Sequence, residues 1–128
     1  MTLNDMIAEW LNYSKTDLTV AQYLLDSMEP CPVEIVCYHA QQSAEKALKA
    51  ILVKNDIDPP KVHDLVRLCE MCGEFCKEIL EVKPIATALN KYGSVARYPN
   101  KRKISREEAE IAIQKATDIL ELVTQKFR

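Results

Sequence analysis

The stretch from Val36 to Leu52 constrains the fold of this chain more than any other part of the sequence. Its apolar and small residues recur at steps of three and four, which places them on one continuous stripe of a helix with 3.6 residues per turn. The stripe consists of Val36, Ala40, Ser43, Ala44, Ala47, Leu48, Ile51 and Leu52. The opposite side carries His39, Gln42, Lys46 and Lys49. The spacing therefore predicts a helix with one packed face and one available face.

The remaining sequence shows the same helical periodicity. The repeat from Ile7 to Met28 predicts a first helix that ends before two prolines, and the stripe lies on a second helix over about 33–54. A short third helix is expected from near His63 to Gly73. The segment 75–91 allows either one helix kinked at Pro84 or a new helix that begins there, and we favour the new start, with this fourth helix reaching Gly93.

The last helix is predicted to begin after Ser105, because Ser105 and Glu108 have the spacing of a capping box. Long amphipathic helices joined by short connections are typical of an up-and-down helical bundle. The sequence thus predicts an all-α fold of about five helices, formed as a single domain by residues 1–128.

Cysteine content and the apolar pattern of the chain indicate the cellular compartment of this protein. The chain has five cysteines, an odd number, and its amino end lacks the pattern of a secretory signal. No window approaches the roughly 18 apolar residues of a membrane span. We therefore expect a cytoplasmic protein with reduced thiols and without membrane association.

Three of the cysteines have a spacing that resembles a metal site. Cys69, Cys72 and Cys76 could supply thiolate ligands, or a Cys-x-x-Cys redox pair. On a helix, however, these positions share a face with Leu65 and Leu68, which are expected to point inward. The sequence therefore predicts packing cysteines, with no metal and no cofactor.

Charge is distributed unevenly along the chain. The formal net charge is −2, yet residues 82–106 contain no Asp or Glu. The basic residues of this segment are Lys83, Lys91, Arg97, Lys101, Arg102, Lys103 and Arg106. Guanidinium and ammonium groups near a helix amino terminus favour an anion, and a tyrosine offers a base-stacking surface. We take Arg97, Tyr98, Lys101, Arg102 and Lys103 as a candidate nucleotide or phosphate site. The alternatives are a solvated basic loop and a loop that pairs with the acidic helices.

Three sequence elements together resemble the HEPN family, the nucleotide-binding domains of higher eukaryotes and prokaryotes. They are the string from Tyr38 to Ala50, the element His63-Asp64-Leu65, and Ala96-Arg97-Tyr98-Pro99. The resemblance implies a five-helix bundle that forms a homodimer. It also implies a minimal nucleotidyltransferase as partner, in a toxin–antitoxin-like pair, with a nucleotide or RNA as ligand.

Some HEPN proteins are metal-independent ribonucleases that carry an Arg followed four to six residues later by His. This chain has no histidine after His63, so the motif that would follow Arg97 is absent. A ribonuclease needs a group that exchanges protons near neutral pH, which lysine and arginine do not supply. We therefore assign no catalytic residue and expect a binding protein rather than an enzyme.

The histidines leave one alternative open. A ribonuclease with a non-standard site would combine Arg97 with His39 or His63 as general base. In the binding interpretation His39 and Lys46 are possible accessory residues of the nucleotide site, or simple boundary residues of the second helix. His63 is then expected to help begin the third helix.

Overall fold

The computed structural model describes residues 1–94 and 103–127, and its regular structure is helical. The α helices of these residues are α1 (Leu3–Ser27), α2 (Val33–Lys54), α3 (Leu65–Gly73), α4 (Lys83–Asn90) and α5 (Arg106–Gln125). Two 3-10 helices, Lys77–Val82 and Lys91–Gly93, precede and follow α4. The predicted all-α class is confirmed, and none of the helices in the described ranges has the length and apolarity to cross a membrane.

Helix α2 forms the centre of the bundle. Every residue of the predicted stripe from Val36 to Leu52 is buried, and α2 contacts all four other α helices. The small residues of the stripe allow α1 to approach closely, since the Ser14 hydroxyl donates a 2.7 Å hydrogen bond to the Ser43 carbonyl oxygen on α2. Periodicity alone therefore identified the element around which the others pack.

The amino end of α1 is fixed by a capping box. The Thr2 hydroxyl accepts from the Asp5 amide, and the Asp5 carboxylate accepts from the Thr2 amide, each at 3.1 Å. These hydrogen bonds hold the pKa of the exposed Asp5 carboxyl below its ordinary value. The cap starts α1 at Leu3, one turn before the apolar repeat begins at Ile7.

Helices α3 and α4 confirm two specific predictions. Asp64 caps α3, which buries its Leu and Cys face and ends at Gly73 as expected. A new α helix does begin near Pro84, because α4 starts at Lys83 and the proline occupies its first turn. The α-helical part stops at Asn90, earlier than predicted, and a 3-10 turn continues to Gly93.

Helix α5 runs in the same direction as α2. The Lys54 ammonium donates a 2.6 Å hydrogen bond to the Lys126 carbonyl oxygen, so the two helices end side by side. At the other end of α5 the Ser105 hydroxyl accepts from the Glu108 amide at 3.0 Å, as the predicted capping box requires. The Glu108 carboxylate, however, accepts a hydrogen bond from the Tyr92 hydroxyl. The side chain of Glu108 thus joins α5 to the 3-10 turn after α4.

Candidate functional site

The predicted phosphate site falls mostly outside the described residues. The range 95–102 contains Arg97, Tyr98, Lys101 and Arg102, so the site that these residues are expected to form remains a prediction. Lys103 is described and is exposed, two residues before the Ser105 cap of α5. We call residues 97–103 the basic segment, and the structure describes Lys103 and the residues on either side of this segment.

Both ends of this segment are anchored to the bundle. The contact between Tyr92 and Glu108 links the residues that precede the segment to the helix that follows it, and the Lys91 ammonium lies 3.8 Å from the same carboxylate. Gly93 packs against α2, because a Cβ atom at this position would lie 3.6 Å from the amide carbon and nitrogen of Gln41. The described residues on the two sides of 95–102 therefore lie beside Gln41 on α2 and at the start of α5.

The amino terminus of α5 is a weaker anion site than the sequence suggests. Glu107 and Glu108 lie in its first turn, where their carboxylates interact favourably with the helix dipole. The Ser105 side chain already satisfies the amide of Glu108. An anion bound here would rely on the cationic side chains more than on free helix amides.

A buried carboxylate, Glu45, organises the middle of α2. Its side chain is 4% exposed, and the Lys49 ammonium lies 3.0 Å from Oε2. The Nδ1 atom of His63 lies 3.0 and 3.1 Å from the two carboxylate oxygens, and the Gln41 amide donates to Oε1 at 3.4 Å. Glu45 is thus satisfied by three partners, as a buried charge requires.

This arrangement corrects the sequence interpretation of the same residues. Lys49 was predicted on the available face of α2, but it pairs with Glu45 inside the protein. His63 was expected to help begin α3, but the Asp64 side chain supplies the cap and the His63 ring covers Glu45 instead. The available face of α2 is accordingly narrower than predicted, with His39, Gln42 and Lys46 half-buried along it.

Hydrogen bonds from Gln41 and Asn90 hold the turn that carries His63. The Gln41 amide donates to the His63 carbonyl oxygen at 3.2 Å. The Asn90 side chain accepts from the Leu65 amide at 2.9 Å and donates to the Asp64 carboxylate at 3.0 Å. The His63-Asp64-Leu65 element is therefore held between α2 and α4, which explains physically why these residue types occur together.

A second carboxylate, Asp17 on α1, binds the two predicted accessory residues. The Nδ1 atom of His39 lies 2.9 Å from Oδ1, and the Lys46 ammonium donates to Oδ2. The Lys46 ammonium also lies 5.8 Å from the centre of the Tyr13 ring. His39 and Lys46 are thus brought together, but by a carboxylate of the protein itself.

The two imidazoles share one chemical arrangement. In each, a carboxylate faces Nδ1, and the neutral tautomer that donates to it from Nδ1 leaves Nε2 as the acceptor. The side chain of His63 is 54% exposed and that of His39 is 27% exposed. An imidazole oriented in this way can accept a proton or a hydrogen bond from a bound molecule.

Two of the three cysteines lie on the inward face of α3 as predicted, whereas Cys76 follows the end of this helix and packs half-buried against the core. Cys69 and Cys72 are buried on α3, and the Cys72 thiol donates to the Leu48 carbonyl oxygen at 3.2 Å. Burial raises the pKa of the Cys69 thiol to about 11 and that of Cys72 to about 12, which disfavours the thiolate. Across residues 1–94 and 103–127, no group of three or more His, Cys, Asp or Glu side chains is arranged to hold a metal ion.

Sequence reasoning missed the central position of the two carboxylates. Asp17 lies three residues after Ser14 and four before Ala21, both buried on α1, so its place in the inward repeat was a usable signal. Glu45 gave no comparable signal, because its burial depends on the path of the turn that carries His63.

Comparisons with known proteins agree with the fold. The model of the HEPN domain family matches residues 7–126. The crystal structure of TT1696 from Thermus thermophilus is 28% identical, with a TM-score of 0.81 over 94% of this chain and 97% of that one. The structure of ST0689, an archaeal HEPN homologue, is 24% identical, with a TM-score of 0.73 over 95% and 98% of the two chains. None of the curated proteins compared with the chain matches it.

Proposed function

Because this chain belongs to the HEPN family, we propose that it works by binding, with a nucleotide or an RNA phosphate held by the basic segment from Arg97 to Lys103. In this proposal the protein associates with itself and with a minimal nucleotidyltransferase, as one half of a toxin–antitoxin-like pair. The chain alone does not turn over a substrate.

One observation carries the ligand proposal, namely the concentration of cations without acids in residues 82–106 of an otherwise acidic chain. Such a cluster attracts phosphate groups in proportion to the charges it neutralises. The anchoring of both flanks supports the proposal, since Gly93 packs on Gln41 and Tyr92 bonds Glu108. The residues that flank the segment thus lie on the bundle, and Lys103 at its end is exposed.

The accessory residues His39 and Lys46 contribute less to ligand binding in this proposal than the basic segment does. His39 and Lys46 both contact Asp17, so the carboxylate already offsets the lysine charge. Their contribution to a ligand would be one imidazole acceptor and the remaining ammonium donors. The main attraction must come from Arg97, Lys101, Arg102 and Lys103.

RNA binding tests the ligand proposal directly. A labelled single-stranded RNA is titrated with wild type and with Arg97→Ala/Lys101→Ala, and fluorescence anisotropy is measured at several salt concentrations. Loss of two phosphate contacts should weaken RNA binding. The slope of the logarithm of the binding constant against the logarithm of salt concentration should become shallower by about one for each lost contact. Lys15→Ala/Lys77→Ala removes the same charge from exposed positions elsewhere and serves as the matched control. Equal weakening by both double variants would show that only net charge matters.

Coexpression tests the partner proposal. The protein is coexpressed with the nucleotidyltransferase encoded beside it, where there is one, and the complex is sought by size-exclusion chromatography. A complex of defined mass supports the proposal. Separate elution of two well-folded proteins contradicts it, whatever the RNA measurement shows.

A second candidate function is metal-independent RNA cleavage, and the geometry of His63 is the observation that favours it. The buried Glu45 carboxylate contacts Nδ1 and orients the ring, and about half of the His63 side chain is exposed. In this reaction Nε2 takes the proton of a ribose 2′-hydroxyl. The 2′-oxygen bonds to phosphorus as the P–O5′ bond breaks, and water protonates the leaving 5′-oxygen. His39 with Asp17 offers the same chemistry at a second place.

Cleavage is tested by RNA degradation in the presence of EDTA. Wild type is compared with Arg97→Ala, His63→Gln and His39→Gln, and products are examined for 2′,3′-cyclic phosphate ends. Activity lost in His63→Gln and retained in His39→Gln assigns the base to His63. Intact RNA with wild-type protein removes this second candidate and leaves the binding proposal as it stands.

A further inference from the structure

A cavity that is separate from the basic segment lies where α1, α2 and the turn after α2 meet. Its volume is about 480 Å³, which is within the range of small-molecule sites. The walls are mainly apolar and include Leu3, Met6, Trp10, Val53, Ile57 and Pro59. None of these residues belongs to the proposed nucleotide site.

The inner wall of the cavity contains a buried cation. Lys49 lines the cavity, yet its side chain is only 7% exposed, and its ammonium lies 5.7 Å from the centre of the Trp10 ring. Among the residues that the structure describes, this ammonium donates one hydrogen bond, to Glu45. A lysine ammonium has three donors, so two of them have no acceptor in this part of the chain.

The charges at the mouth of the cavity differ from the charge at its inner wall. Asp56, Asp58 and Lys61 are exposed at the mouth, where solvent screens them. Lys49 is shielded from solvent and Glu45 offsets its charge, so an oxygen anion that reached it would be held by hydrogen bonds from the two remaining ammonium donors in an apolar setting. The apolar walls and the Trp10 ring would contact the hydrocarbon part of the same molecule.

We propose that this cavity binds a small carboxylate with a compact hydrocarbon body, whose carboxylate accepts hydrogen bonds from Lys49 and whose body packs against Trp10 and Ile57. The mode of binding follows from the walls, because burial of apolar surface supplies affinity and the two remaining donors of Lys49 supply selectivity. The cavity is lined by other residues than those that flank the basic segment, although Lys49 is linked through Glu45 to Gln41, on which Gly93 packs.

The only tryptophan of the chain lies in the cavity wall, so its fluorescence reports occupancy. The probe is cyclohexanecarboxylate, and the comparison ligands are cyclohexanecarboxamide and cyclohexylmethylamine, which have similar bodies. We expect a saturable change in Trp10 fluorescence with the carboxylate, and an affinity about tenfold or more above that of the amide. Calorimetry with the same probe detects binding that leaves the fluorescence unchanged.

Three variants locate the site and test its chemistry. Ile57→Phe reduces the volume of the cavity and should weaken binding of the probe. Ile111→Phe, at an exposed position on α5, should leave the affinity for the probe unchanged. Glu45→Gln/Lys49→Met removes both buried charges together and should abolish the preference for the carboxylate over the amide. The proposal is overturned if neither method shows saturable carboxylate binding. It is overturned equally if the amide binds as tightly, or if the double variant keeps the preference.

Discussion

Replacement of Glu45 by glutamine tests the buried charge cluster at the centre of this bundle. The substitution keeps the shape of the side chain and its hydrogen-bonding capacity but removes the negative charge. The Lys49 ammonium, with a side chain 7% exposed, then has no opposite charge at 3.0 Å. A buried cation without its partner is costly because water cannot replace the lost interaction.

The expected loss can be worked out from this burial. Removal of one member of a buried pair costs about 3–5 kcal/mol, and we expect about 3 kcal/mol because glutamine still accepts a hydrogen bond. An unfolding entropy of about 2.1 cal/mol/K per residue gives about 0.27 kcal/mol/K for 128 residues. The melting temperature should therefore fall by about 11 °C.

Thermal unfolding followed by circular dichroism measures this change. Glu110→Gln is the matched control, because Glu110 pairs with Arg106 at 3.3 Å on an exposed face, and its loss should shift melting by about 2 °C or less. Glu45→Gln/Lys49→Met should recover most of the lost stability, since no uncompensated charge remains. A melting temperature for Glu45→Gln within about 2 °C of wild type would refute the reasoning.

Three further predictions concern packing, thiol chemistry and helix capping. Ala44→Leu places a large side chain at a fully buried position and should lower the free energy of unfolding by about 1–3 kcal/mol in urea. A colorimetric thiol reagent near pH 8 should react quickly with the two half-buried cysteines, and with the three buried ones only after denaturation, because burial and a raised pKa keep Cys69 and Cys72 protonated. Asp64→Ala should cost about 1 kcal/mol by thermal unfolding, whereas Asp64→Asn should cost less, because asparagine still caps α3.

The parts of the fold that follow from local chemistry were predictable from the sequence. The α2 stripe, the buried face of α3 and the start of α4 at Pro84 each depend on residues within a few turns of one another. Periodicity and proline stereochemistry act over the same short range. The capping of α5 was predictable only in its Ser105 half, because Glu108 turns to Tyr92, which comes from a different element.

The polar interior was much harder to predict. A Glu and a Lys four residues apart are typical of an exposed helix face, and this spacing gives no information about what covers them. The burial of Glu45 and Lys49 depends on the turn 55–64, which brings His63 onto α2. The candidate phosphate residues Arg97, Tyr98, Lys101 and Arg102 stay predictions from sequence, supported by the anchoring of their flanks and by family membership.

The hydrogen bond between Tyr92 and Glu108 bears on how this family can vary. It joins the residues that precede 95–102 to the helix that follows them, so the packing of the helices does not depend on the number of residues between. The entropy of closing such a connection grows only logarithmically, and a doubling from eight to sixteen residues adds about 0.6 kcal/mol. The helical scaffold should therefore keep its stability through insertions and deletions at this one place.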